Sequence, residues 1–117
     1  MAKILIIEDD PNLRRGMNLR LRANGYETAL AEDGVTAVFV ARAERPDLAL
    51  VDIGLPDGDG FSLTQQLRAM PWPMRVVLIS SDSDRANAPA ARRAGACGFF
   101  PKDELSDSAL RQLIEGD

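Results

Sequence analysis

The chain has 117 residues, enough for one domain spanning residues 1–117 and for a real core. Its 45% hydrophobic and 27% charged content is that of an ordinary globular protein, and a net charge of -4 argues against direct nucleic-acid binding by this segment. No apolar run is long enough to span a membrane, no signal peptide opens the chain, and a lone Cys97 excludes an internal disulfide and suits a reducing cytoplasm. There is no histidine, which removes His-based triads and the usual zinc sites.

The first apolar run, Ile4-Leu5-Ile6-Ile7, reads as a buried strand that meets three acids, Glu8, Asp9 and Asp10. Pro11 suits the first position of a helix, which makes Asp10 its N-cap. Leu13, Met17 and Leu21 recur at helical spacing, and Asn24-Gly25 supplies the stop. Arg14, Arg15, Arg20 and Arg22 are expected to form a solvated face. Residues 26–31 read as a second strand. Asp33 caps a helix over 35–45, which Pro46 ends. The β-branched run within it could pass for a strand, but the cap and the need for a crossover between parallel strands outweigh that propensity.

Leu48-Ala49-Leu50-Val51 is a short, wholly apolar run, and Asp52 closes it. Gly54, Pro56, Gly58 and Gly60 then force a turn, so Asp52 stands at the carboxyl end of a strand buried on both faces. Leu63, Leu67 and Met70 mark a third helix, broken at Pro71-Trp72-Pro73. A fourth strand runs over 75–79 into Ser80. Any helix before Gly95 is short, over about residues 88–94, because the apolar residues there are all alanine. Gly98-Phe99-Phe100-Pro101 is a fifth strand, placed at a sheet edge because Pro101 cannot donate to a ladder. Lys102 ends it, and Ser106 caps a last helix carrying Leu110, Leu113 and Ile114.

This is βα repeated five times, an α/β fold with a doubly wound parallel sheet. The strand ends bring Glu8, Asp9, Asp52, Ser80 and Lys102 to one edge, where ligands are bound in such sheets. Two unit charges ~4 Å apart repel by about 4 kcal/mol at an effective dielectric near 20. A hard divalent cation with oxygen ligands relieves that repulsion, and Mg²⁺ fits best.

The blocks ILIIEDDPNLR, LVDIGLPDGDG, VVLISS and AGACGFFPKDE resemble, in order and spacing, the receiver domain of two-component response regulators, and the likeness covers the whole chain. It implies a flavodoxin-like sheet of strand order 2-1-3-4-5. It also implies that Asp52 accepts phosphate from a phosphohistidine, which must belong to a sensor histidine kinase or phosphotransfer protein. Mg²⁺ would be held by Asp9, Asp52, the Gly54 backbone carbonyl and, through water, Glu8. Ser80 and Lys102 would contact the phosphoryl group, and Phe99 would change rotamer in the switch. Such a domain assists its own phosphorylation and dephosphorylation but is otherwise no enzyme. The face formed by the fourth helix, fifth strand and fifth helix is the candidate surface for a partner or a homodimer, and residues 82–94 are expected to move on phosphorylation.

The order Pro101-Lys102-Asp103 departs from the Lys-Pro of many family members and resembles receivers that precede a DNA-binding domain. No such domain follows here, so a stand-alone receiver and a piece of a longer regulator are both open. Two other readings compete: a phosphorylation-independent interaction module of the same fold, and an aspartyl-phosphate phosphatase of the dehalogenase-like kind. The second would require Asp-x-Asp, and Gly54 stands where the second Asp belongs.

Overall fold

The computed structural model describes residues 2–80 and 88–115. In chain order the elements are β1 (Lys3–Ile7), α1 (Pro11–Ala23), β2 (Glu27–Ala31), α2 (Gly34–Glu44), β3 (Leu48–Asp52), α3 (Gly60–Arg68), β4 (Arg75–Ser80), α4 (Ala88–Ala94), β5 (Gly98–Pro101), a 3-10 turn (Lys102–Glu104) and α5 (Asp107–Glu115). The five strands form one all-parallel sheet in the order β2-β1-β3-β4-β5. β3 is buried along its whole length, as its unbroken apolar run requires. β5 lies at an edge, where the missing N–H of Pro101 costs no ladder bond.

The helix starts follow their caps. The Asp10 carboxylate accepts the Asn12 N–H at 2.9 Å, Asp33 accepts that of Thr36 at 2.7 Å, and Asp59 accepts that of Ser62 at 2.6 Å. The Ser106 hydroxyl accepts the Ala109 N–H at 3.1 Å and starts α5. Some boundaries differ from expectation by a residue or two. β2 begins one residue late because the Tyr26 N–H still bonds the Leu21 carbonyl at the end of α1. α3 stops before Met70, which lies in the turn that follows. The 3-10 turn holding Lys102 carries no sequence signal of its own.

The solvated arginine face needs correction. Arg15 and Arg22 are exposed. Arg14 instead donates to the Glu8 backbone carbonyl at 2.7 Å, and Arg20 pairs with Asp107 at 2.9 Å and reaches the Leu105 carbonyl. Both arginines tie α1 to the carboxyl edge of the sheet.

Strand alternation splits the core in two. On one face Ile4, Ile6, Leu48, Leu50, Val77 and Ile79 pack with Met17 and Leu21 of α1 and Leu110 and Ile114 of α5. On the other, Leu5, Ile7, Ala49, Val51, Val76 and Leu78 meet Ala37 and Ala41 of α2, Leu63 and Leu67 of α3, and Ala91 of α4. No helix among the described residues is long and apolar enough to cross a membrane. Of the segment expected to move, residues 82–87 lie outside the described residues; 88–94 form α4.

Candidate functional site

Each strand end delivers a polar residue to the same edge by continuing its strand's alternation. Glu8 follows Ile4 and Ile6, and Asp52 follows Leu48 and Leu50, so both carboxylates stand over the α1–α5 face. Ser80 follows Val76 and Leu78 and stands over the opposite face. Phe99 is partly buried on that opposite face.

The structure brings three of the predicted ligands together. Glu8, Asp9 and Asp52 each offer a carboxylate oxygen, and these oxygens lie within 4.8 Å of one another. Glu8 is fully buried, Asp52 is buried and Asp9 is exposed. Lys102 joins the set: its Nζ is 2.6 Å from Glu8 Oε1 and 3.2 Å from Asp52 Oδ2. The short contact to Glu8 is an ion pair without hydrogen-bond alignment, which leaves Glu8 Oε1 buried with a charge beside it and no directed donor. Glu8 Oε2 accepts the Asp10 N–H at 3.1 Å. Burial pushes the Glu8 carboxyl up to about 7, against the pull of Lys102 and the Asp10 N–H, and the Asp52 charge adds to the rise. Burial alone would lower the Lys102 ammonium, but Glu8 and Asp52 outweigh it and hold it above the usual lysine range.

Gly54 presents its N–H to the site, donating to Asp52 Oδ1 at 2.9 Å. With Lys102 on Oδ2, both Asp52 oxygens are held in place. Ser80 is buried at the end of β4, in register with Pro101, beside the pair formed by Asp52 and Ile79.

Two contacts at this edge have no counterpart in the sequence reading. One is the Arg14 bond to the Glu8 carbonyl. The other is Asp57, in the loop after Asp52, whose carboxylate accepts the Gly34 and Val35 N–H groups at 2.8 and 2.9 Å. Those N–H groups hold the Asp57 carboxyl below the usual range. The loop is thereby fastened to the start of α2. The only hint in sequence is an extra acid among turn residues, and a turn former explains that equally well. At the other end of the same loop Gly60 is obligatory: a Cβ there would lie 2.8 Å from the Ile53 Cα and 3.0 Å from the Asp52 carbonyl oxygen.

Residues 4–115 match the family model of the response regulator receiver domain. The chain belongs to that family. A relative from Pseudomonas aeruginosa is 35% identical over 112 residues, covering 94% of this chain and 54% of its own length. Response regulator MprA of Mycobacterium tuberculosis is 31% identical over 112 residues, covering 96% of this chain and 49% of its own. The receiver domain thus spans about half the length of the curated relatives it matches. Among solved structures, a CheY-like response regulator receiver domain protein from Methanospirillum hungatei JF-1 superposes with a TM-score of 0.88 at 25% identity, over 98% of this chain and 91% of that one. The receiver family is a signalling family, and its members work in two-component systems rather than as classical enzymes.

Proposed function

We propose that residues 1–117 form one receiver domain whose Asp52 takes a phosphoryl group from a phosphohistidine on a sensor histidine kinase or phosphotransfer protein in the cytoplasm. The observation that carries this reading is the cluster itself: three carboxylates on hard oxygen donors, one of them buried with an undirected oxygen, and a lysine across two of them. Three carboxylates face a single lysine here, and Mg²⁺ fits that donor set. Asp9, Asp52 and the Gly54 carbonyl would hold it directly and Glu8 through water. When bound, it supplies charge neutralisation for the transferred oxygens.

The chain's own residues do the rest. Asp52 is oriented by the Gly54 N–H on Oδ1 and by Lys102 on Oδ2, and Oδ2 bonds phosphorus as Lys102 leaves it and the P–N bond breaks. The electron pair of that bond stays on the partner's imidazole nitrogen. The Lys102 ammonium, held charged by its neighbours, turns from the carboxylates to the phosphoryl oxygens. The Ser80 hydroxyl donates to the same group. The product adds roughly -1.5 to -2 of charge at Asp52. Ser80 moving toward that charge opens space on the α2–α3–α4 face, and Phe99 turns into it by packing alone, since it has no hydroxyl.

Incubation with acetyl phosphate and Mg²⁺, read by intact-mass spectrometry, tests the proposal. One phosphoryl group should be added, and Asp52→Asn should abolish it. No labelling of the wild type would leave only an interaction module; unchanged labelling of Asp52→Asn would move the acceptor elsewhere.

A further inference from the structure

Helix α2, GVTAVFVARAE, has the composition of a buried helix, yet it lies on the surface. Helices apolar on all sides are normally covered on all sides. Here only Ala37 and Ala41 are buried, Val35 is 62% exposed and Phe39 is 70% exposed. These two side chains lie one turn apart on one face. They border a groove of about 410 Å³ between α2 and α3, which Val38, Leu55 and Leu63 also line. A helical face of this kind marks an interaction site.

The charges along the groove say what covers it. Asp57 and Asp59 lie at one end. Past Val38 and Gln66 the groove continues to Arg42 and Arg45 at the other. A surface with an acidic end and a basic end complements itself when one copy is turned end for end. Two copies laid parallel would set acid on acid and base on base. The antiparallel arrangement also opposes the two helix dipoles. Arg42 lies three residues beyond Phe39, about 4.5 Å along the axis. With Phe39 near a two-fold axis, each Arg42 therefore falls against the first turn of the other α2, where Asp57 is fastened to the Gly34 and Val35 N–H groups.

We propose that the chain self-associates through α2, two copies packing antiparallel about a two-fold axis so that each Phe39 enters the α2–α3 groove of the other. This surface is separate from the α4–β5–α5 face, where no large apolar side chain is exposed among the described residues. The association needs neither phosphate nor metal, so it stands apart from the reading of Asp52.

Sedimentation equilibrium on the unphosphorylated chain without divalent metal, from about 10 µM to about 1 mM, tests it. A monomer–dimer equilibrium is expected, weakening as salt rises. Phe39→Asp should weaken the dimer by about thirtyfold or more while leaving the thermal melt in place, since Phe39 is mostly outside the core. Arg42→Glu, a second exposed change, should weaken it as well, whereas Arg111→Glu on α5 should not. A wild type that stays monomeric throughout, which would leave the face to some other partner, overturns the proposal. So does a dimer that survives Phe39→Asp, ignores Arg42→Glu or is lost with Arg111→Glu.

Discussion

The two faces of the sheet are covered by different kinds of helix. On the α1–α5 face the helices bury Met17, Leu21, Leu110 and Ile114. On the other face α3 buries Leu63 and Leu67, but α2 contributes only Ala37 and Ala41, and the described core on α4 is alanine too. Large side chains bury far more apolar area than methyl groups, so each buried position on α1 and α5 contributes more than one on α2. α2 is also fastened at its first turn, through Asp33 and Asp57. The site divides along the same line. Glu8, Asp52 and Lys102 stand over the α1–α5 face, and Ser80 and Phe99 stand over the opposite one. The carboxylates and the lysine thus face helices that bury large side chains, and the residues proposed to answer phosphorylation face helices whose buried residues are in good part alanine.

The strongest way to break this contrast is to empty each face in turn. Leu21→Ala should cost about 2–5 kcal/mol in urea unfolding, whereas Ala37→Gly in α2 should cost about 1 kcal/mol. Equal losses would mean that the two faces are held alike. Gly60→Ala comes next. Its Cβ would press on the Ile53 backbone, and a loss of about 1–3 kcal/mol with slower labelling of Asp52 is expected. A silent Gly60→Ala would show that the loop gives way without cost.

At the acidic edge, Asp10→Ala should cost about 1 kcal/mol of stability and leave Mg²⁺ affinity nearly intact, because its carboxylate is used on α1. Asp9→Ala should do the reverse in a Mg²⁺ titration. Matching metal affinities for the two variants would refute the division of labour between neighbouring acids.

A smaller effect is expected from the loop clasp. The folded state holds the Asp57 carboxyl below its ordinary value of 3.8. Its contribution is therefore fully present above that value and fades as pH falls through the lower folded value. Asp57→Ala should lower stability at neutral pH and flatten the acid limb of the stability curve below about pH 4; an unchanged acid limb would count against the clasp. The smallest effect belongs to Trp72. It donates to the Pro46 carbonyl at 3.1 Å and lies under Arg45, at the end of the sheet away from the acids. Its fluorescence should barely respond to Mg²⁺, and a large change would contradict this placement.

Much of this was legible in the chain. The strands announce themselves by unbroken apolar runs that end in polar residues, and the caps at Asp10, Asp33 and Ser106 are local, needing only neighbours two or three residues away. The short alanine-rich α4 and the edge position of Pro101 followed from composition and from a missing N–H. What sequence could not deliver is contact at a distance. Asp57 meets Gly34 across 23 positions, and Arg20 meets Asp107 across 87. Neither pair has a local signature, because the sheet alone brings the partners together. The exposure of Phe39 was hidden for a related reason: an apolar helix reads as buried until its neighbours prove too few to cover it.

The strand order has a consequence for how the chain is made. Protein synthesis delivers β1 first, and β2 and β3 then arrive on its two sides. β4 adds to β3, and β5 adds to β4. Every strand leaving the ribosome after the first finds a paired neighbour already present. The sheet can grow in step with translation, each interior edge being filled by a strand made after it.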